Sequence, residues 1–174
     1  MISNQRELLI LRHGKSDWSI PSDDYHRPLK QRGVKGSRVI GQWLKEENIV
    51  PDLILSSPAT RASLTAHIVC HALHLDQRKK IVEQSDLYLA SQDLLLRKLA
   101  QIDGDLQRIM LVGHNPGLED LVNHLSSSPI KTVDGKILPT ASLAHFALPR
   151  DWSELCRGCG TLLKLQRSRE LVNE

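Results

Sequence analysis

Leu8-Leu9-Ile10-Leu11-Arg12-His13-Gly14-Lys15-Ser16 is the stretch that decides how this chain folds. Four consecutive aliphatic residues fit a short strand buried on both faces, the kind found inside a parallel sheet. The run stops at an arginine, a histidine and a glycine. Open α/β sheets carry their chemistry at the carboxyl ends of such strands, where the next loop begins. Gly14 allows a turn or a close backbone approach that a side chain would block. A strand that ends in polar residues merely because it reaches the surface would look the same, so the rest of the chain has to decide.

The pattern recurs. Asp52-Leu53-Ile54-Leu55-Ser56 reads as a second buried strand, and Ser57-Pro58-Ala59-Thr60-Arg61 follows at once. Ser57 is a good helix N-cap and Pro58 suits the first helical position. Ala62, Ala66, Val69 and Leu73 then mark one helical stripe. Arg61 falls in the first turn, where a cation opposes the helix dipole unless an anion lies nearby. Arg108-Ile109-Met110-Leu111-Val112-Gly113-His114 repeats the opening design, with Asn115 placed to cap the next helix and Pro116 to start it, running to about Leu125.

The connecting segments alternate with these strands. Residues 17–32 are polar and turn-rich, and a helix is expected over Gly33–Glu47. A short third strand is expected near Lys80–Val82, then a helix from Ser91 to Ile102 that ends by Gly104. Val133-Asp134-Gly135-Lys136 signals a turn. Ser142–Leu148 and Thr161–Leu165 read as closing strands, antiparallel to the others, before a charged, frayed tail from Gln166. Strands alternating with helices predict a three-layer α/β fold: a mostly parallel, doubly wound sheet with helices on both faces.

Composition narrows the function. The 174 residues fit one domain, with 40% hydrophobic residues, 25% charged residues and a net charge of +3. Aromatics are only 3%, which argues against base-stacking surfaces, and no dense basic block marks a nucleic-acid partner. No apolar run reaches the length of a membrane span. Three cysteines without a disulfide framework fit a reducing, cytoplasmic setting. Cys156 and Cys159 have Cys-x-x-Cys spacing but too few companions for a zinc site, so they read as loop thiols. His67, His71 and His74 share a helical face and read as solvated; His26, His124 and His145 read as surface or structural. No metal or other cofactor is expected.

Two arginines and two histidines thus gather at three strand ends: Arg12 and His13, Arg61, and His114. Arginine binds a phosphoryl dianion through a planar fork and stays charged. The Arg12-His13-Gly14 strand end, Ser57 to Ala66, and Val112-Gly113-His114-Asn115-Pro116 together resemble the histidine phosphatase superfamily, which has a phosphoglycerate mutase-like fold. The small size, Arg27-Pro28-Leu29 and Leu87-Tyr88-Leu89-Ala90-Ser91 look most like the SixA-type phosphohistidine phosphatases. The resemblance implies that His13 is the nucleophile and carries a transient phosphoryl group. It also implies that His114 bonds the phosphoryl oxygens and that Arg12 and Arg61 hold its charge. Arg27, a candidate substrate-binding residue, reaches the phosphate pocket or the partner protein, or else pairs at the surface.

Two departures stand out. Larger members of that superfamily place a general acid after the third strand, and the matching position here is near Leu89. Asp86 and Asp17 are the candidates to replace it. The segment from Tyr88 to Arg108 is also too short to build a cap, so a shallow, open pocket is expected. The primary expectation is a metal-independent phosphatase acting on phosphohistidine in a protein. A phosphomonoesterase for small phosphate esters and a non-catalytic phosphate-recognition module stay open beside it. Oligomeric state is not legible.

Overall fold

The computed structural model describes residues 5–172. Six strands form one sheet in the order β3-β2-β4-β1-β5-β6. In chain order they are β1 (Arg6–Arg12), β2 (Leu53–Ser56), β3 (Ile81–Glu83), β4 (Arg108–Gly113), β5 (Ser142–Leu148) and β6 (Thr161–Arg167). The helices are α1 (Gln31–Glu46), α2 (Thr60–Ala72), α3 (Gln77–Lys80), α4 (Gln92–Leu99), α5 (Gly117–Leu125) and α6 (Ser168–Leu171). β1, β2, β3 and β4 run parallel, and β5 and β6 join antiparallel beyond β1. The expected mostly parallel α/β sheet is therefore present.

β1 is central because its side chains can be buried on both faces. Leu8 and Ile10 pack with Leu95, Leu99, Leu118 and Leu121 of α4 and α5. Leu9 and Leu11 point the other way, into Ile40, Leu44, Ala66 and Val69 of α1 and α2. All four leucine and isoleucine side chains of this run are fully buried. Strand periodicity of two assigns them alternately to the two helical layers. Among the described residues no helix is long and apolar enough to cross a membrane.

Several boundaries differ from the sequence reading. Ser57 does not cap α2; the cap position is Ala59, and the Ser57 hydroxyl is used elsewhere. Asn115 does not cap α5 either. Pro116, after a cis bond, holds that position, and Asn115 Nδ2 donates to the Leu138 carbonyl. α4 ends at Leu99, before Gly104, although Ser91 caps it as expected. The C-terminal segment is not frayed over its described length. Gln166 and Arg167 are buried, Arg167 forks onto Asp134 at 2.9 Å through both terminal nitrogens, and α6 follows. An arginine–carboxylate fork and a sheet register outweigh the polar composition that suggested fraying.

Candidate active site

Register brings the strand ends together. Arg12 pairs with Gly113 across β1 and β4, so the next residues, His13 and His114, emerge side by side. The backbone N–H of His13 donates to the Gly113 carbonyl at 3.2 Å, and that of Ser57 donates to Val112 at 3.0 Å. The two imidazole centroids lie 5.2 Å apart. Arg12, His13, Arg27, Arg61 and His114 all line one pocket of about 210 Å³. The four residues read from the strand ends are thus neighbours, and Arg27 joins them.

The loop that presents His13 is fixed by close backbone packing. A Cβ on Gly14 would sit 2.6 Å from the Gly33 carbonyl oxygen, which no side chain tolerates, so both glycines are required there. Gly14 N–H donates to Thr65 Oγ1, whose hydroxyl donates in turn to the Arg61 carbonyl at 2.7 Å. This chain of bonds couples the His13 loop to the first turn of α2.

The His13 ring is oriented by its own neighbour. Nδ1 lies 2.7 Å from the Gly14 carbonyl, an acceptor, so Nδ1 carries the proton and the lone pair is on Nε2. Arg61 Nε donates toward that Nε2 at 3.3 Å. Burial lowers the His13 pKa to about 3, and the charges of Arg61 and Arg12 push the same way. His114 is lowered to about 4, again mainly by burial and then by Arg61. Both rings are neutral near pH 7. His114 Nε2 meets the Ser57 hydroxyl at 2.8 Å.

Three buried nitrogens around this pocket have no hydrogen-bond partner among the described residues: Arg12 Nε, Arg27 Nε and His114 Nδ1. A buried donor left unfilled costs about 1–3 kcal/mol. Converging donors of this kind, with the fixed charges of arginine, suit a tetrahedral oxyanion.

The sequence reading missed Asp24. Its carboxylate accepts from Arg61 Nη2 at 3.0 Å, from Arg27 and from the Tyr88 hydroxyl. The Tyr88 bond and Arg61 hold its pKa down at about 2. The strain of a cation in the first turn of α2, noted from sequence, is answered here by the chain's own anion. Arg27 is buried, with its guanidinium carbon 3.4 Å above the Trp18 ring.

Neither proposed replacement acid reaches the pocket wall. Asp86 pairs with Lys98 at 2.6 Å, and Asp17 accepts from Ser19 and lies 3.9 Å from Lys30. Leu89 does line the pocket, alongside the exposed Trp18. No carboxylate among the described residues lines it.

The residues set aside stay outside this pocket. Cys156 and Cys159 are free thiols. His67 Nδ1 bonds Gln77 at 3.0 Å, and His145 is buried on Glu7 at 2.7 Å, a structural contact.

Comparison with known proteins agrees with this geometry. Residues 8–86 match the model of the histidine phosphatase superfamily, branch 1. An uncharacterised protein of Mycobacterium tuberculosis is 27% identical over 160 residues, covering 88% of this chain and 96% of that one. Phosphohistidine phosphatase SixA of Escherichia coli is 28% identical over 123 residues, 68% of this chain and 73% of that one. The solved structure of the protein histidine phosphatase SixA complexed with tungstate superposes with a TM-score of 0.78 at 26% identity, covering 95% of this chain and 99% of that one. With its fold and strand-end motifs in agreement, the chain matches the histidine phosphatase superfamily model over residues 8–86 and has SixA homologues in both sequence and structure.

Proposed function

We propose that this protein hydrolyses phosphohistidine on another protein, using His13 as the nucleophile. The observation that carries this reading is Leu89 on the pocket wall, where larger members of the superfamily place a general acid. Ester cleavage expels an alkoxide, which needs a proton in the transition state. Asp24, with a pKa of about 2, is ionised at neutral pH and is a poor donor. A phosphorylated imidazole takes its proton from water at its second ring nitrogen and departs as a neutral base of pKa about 6.5.

The steps follow from the site. The Nε2 lone pair of His13 attacks phosphorus, and the substrate P–N bond breaks with its electrons leaving on the substrate ring. Arg12, Arg61 and Arg27 hold the charge of the transferring group, and His114 meets one of its oxygens. Water then attacks the phosphoryl group on His13. The new P–N electrons return to Nε2, and inorganic phosphate leaves. The arginines supply the charge stabilisation, so the scheme calls for no metal.

The setting supports a protein substrate. Between Tyr88 and Arg108 the chain builds α4 and no cap. Trp18 and Leu89 stand exposed at the rim, 71% and 55% accessible, and apolar side chains there suit contact with a protein surface. The test is phosphate release from a phosphohistidine-bearing protein, with alkaline quenching to trap the label on the enzyme. His13→Ala is expected to abolish both release and labelling. Release at an unchanged rate in that variant would end the proposal.

A further inference from the structure

Beside the catalytic pocket lies a second cleft of about 430 Å³ that the scheme above does not use. Lys15 and Thr140 line both, so the two adjoin across a shared wall. The floor is tied to the nucleophile: Ala141 N–H donates to the His13 carbonyl at 3.0 Å, and Ser168 N–H donates to the Ala141 carbonyl at 3.1 Å. A Cβ on Gly36 would come within 3.0 Å of both Ala141 Cβ and Ser168 Oγ, so glycine there leaves the floor open.

The walls are cationic. Lys15, Arg32, Lys35, Arg167 and Arg169 line the cleft. Asp134 pairs with Arg167 and Arg169 at 2.9 and 3.1 Å. Lys15, Arg32 and Lys35 have no ion-pair partner among the described residues. Ser142 also lines the cleft, and its hydroxyl is buried with no hydrogen-bond partner. A buried hydroxyl without a partner is uncommon enough to call for one. Asp134 and Glu170 offset Arg167 and Arg169, which leaves Lys15, Arg32 and Lys35, plus a free hydroxyl donor, to select an anion.

We infer that this cleft takes an acidic side chain of the substrate protein, held next to the phosphohistidine in the catalytic pocket. The inference rests on the phosphohistidine-protein reading and adds what such a partner presents: a carboxylate a few residues from the modified histidine. Because the two pockets share Lys15 and Thr140, one substrate surface can present both anions. Charge complementarity of this sort steers association and sets register.

The test uses two phosphohistidine peptides that differ only in flanking residues, one with glutamates and one with glutamines. At low salt the full-length enzyme is expected to favour the glutamate peptide by roughly tenfold in kcat/KM, with the preference shrinking as salt rises. Arg32 and Lys35 line this cleft and not the catalytic pocket. The R32S/K35S variant is expected to lose the preference while still turning over the glutamine peptide at the wild-type rate. Equal turnover of both peptides by the wild type overturns the inference and leaves the phosphatase reading standing.

Should neither peptide be hydrolysed, the phosphatase reading falls and the cleft is judged by binding alone. The unphosphorylated glutamate peptide should then bind the wild type several-fold more tightly than the glutamine peptide, and R32S/K35S should equalise them; equal binding to the wild type rejects the cleft. Ser142→Ala separates ligand contact from structure. It is expected to keep the melting temperature, since its hydroxyl bonds nothing, and to weaken glutamate-peptide binding severalfold. A fall in melting temperature with unchanged binding contradicts that role.

Discussion

Asp24 Oδ2 accepts a hydrogen bond from Arg61 Nη2 at 3.0 Å, tying the loop after β1 to the first turn of α2. The Asp24 backbone carbonyl takes Arg61 Nη1 as well, so both terminal nitrogens are engaged and Nε is left turned toward His13. Asp24 therefore orients the guanidinium. Asp24→Ala is expected to lower kcat/KM for phosphoryl transfer about tenfold, the scale of one charged hydrogen bond. Asp24→Asn keeps an acceptor oxygen and should retain most of the rate. The same carboxylate raises the Tyr88 pKa by accepting its hydroxyl, so Tyr88 should ionise at lower pH in Asp24→Ala. Absorbance titration of tyrosinate reads that shift; unchanged kinetics in Asp24→Ala would mean that Arg61 holds its orientation unaided.

Arg61 was legible in the sequence, and Asp24 was not. Buried strands announce themselves as aliphatic runs, and a strand end followed by charge marks a rim, so Arg12, His13, Arg61 and His114 could be placed by pattern. Asp24 and Arg27 lie in an irregular loop, where no period fixes direction. The cost of a cation in the first turn of α2 pointed to an anion without revealing that the chain supplies one. The misplaced caps have a similar origin. Ser57 and Asn115 have capping chemistry, yet a hydroxyl 2.8 Å from His114 and an amide on Leu138 are tertiary contacts that local propensity cannot see. The tail from Gln166 was misread because its partner, Asp134, lies more than thirty residues away.

The buried histidines make stability depend on pH in a defined window. Unfolded, His13 and His114 take up protons below about pH 6.5. Folded, they stay neutral down to about 3 and about 4. The unfolded state therefore binds more protons between those limits, and stability rises with pH across the window. Acidification from pH 6.5 toward 4 should lower the melting temperature, with each group contributing on the order of 1 kcal/mol per pH unit. Above pH 7 these two groups add no slope. The double variant His13→Asn, His114→Asn should flatten the acid limb; an identical limb in the variant assigns the slope to other residues.

Gly117 and Gly104 provide a paired test of the packing that sets α5 behind His114. A Cβ at Gly117 would stand 1.9 Å from the Ala90 carbonyl oxygen, a backbone atom that cannot move without shifting the start of α4. Gly117→Ala should destabilise by about 1–3 kcal/mol, several degrees in melting temperature for a chain of this size. A Cβ at Gly104 meets nothing within 4 Å. Gly104→Ala should change stability by less than about 0.5 kcal/mol. Thermal unfolding of both variants decides; equal losses would mean that the close approach at Gly117 does not constrain the fold.

Leu89 offers the sharpest test of substrate class. It lines the catalytic pocket, is exposed, and adopts φ of 50°. The backbone already tolerates a branched side chain in that left-handed conformation, so Leu89→Glu adds a carboxyl group without new backbone strain. A positioned general acid contributes about 10²–10⁴-fold where the leaving group needs a proton. An alkyl phosphate needs one, whereas a phosphorylated imidazole departs without help from the enzyme. Leu89→Glu should therefore raise kcat/KM for an alkyl phosphate at least tenfold relative to that for phosphohistidine, because the ionised carboxylate repels both dianions alike and only the ester gains from its acid form. Equal effects on both substrates would show that the apolar residue at this position does not set the choice between P–N and P–O bonds.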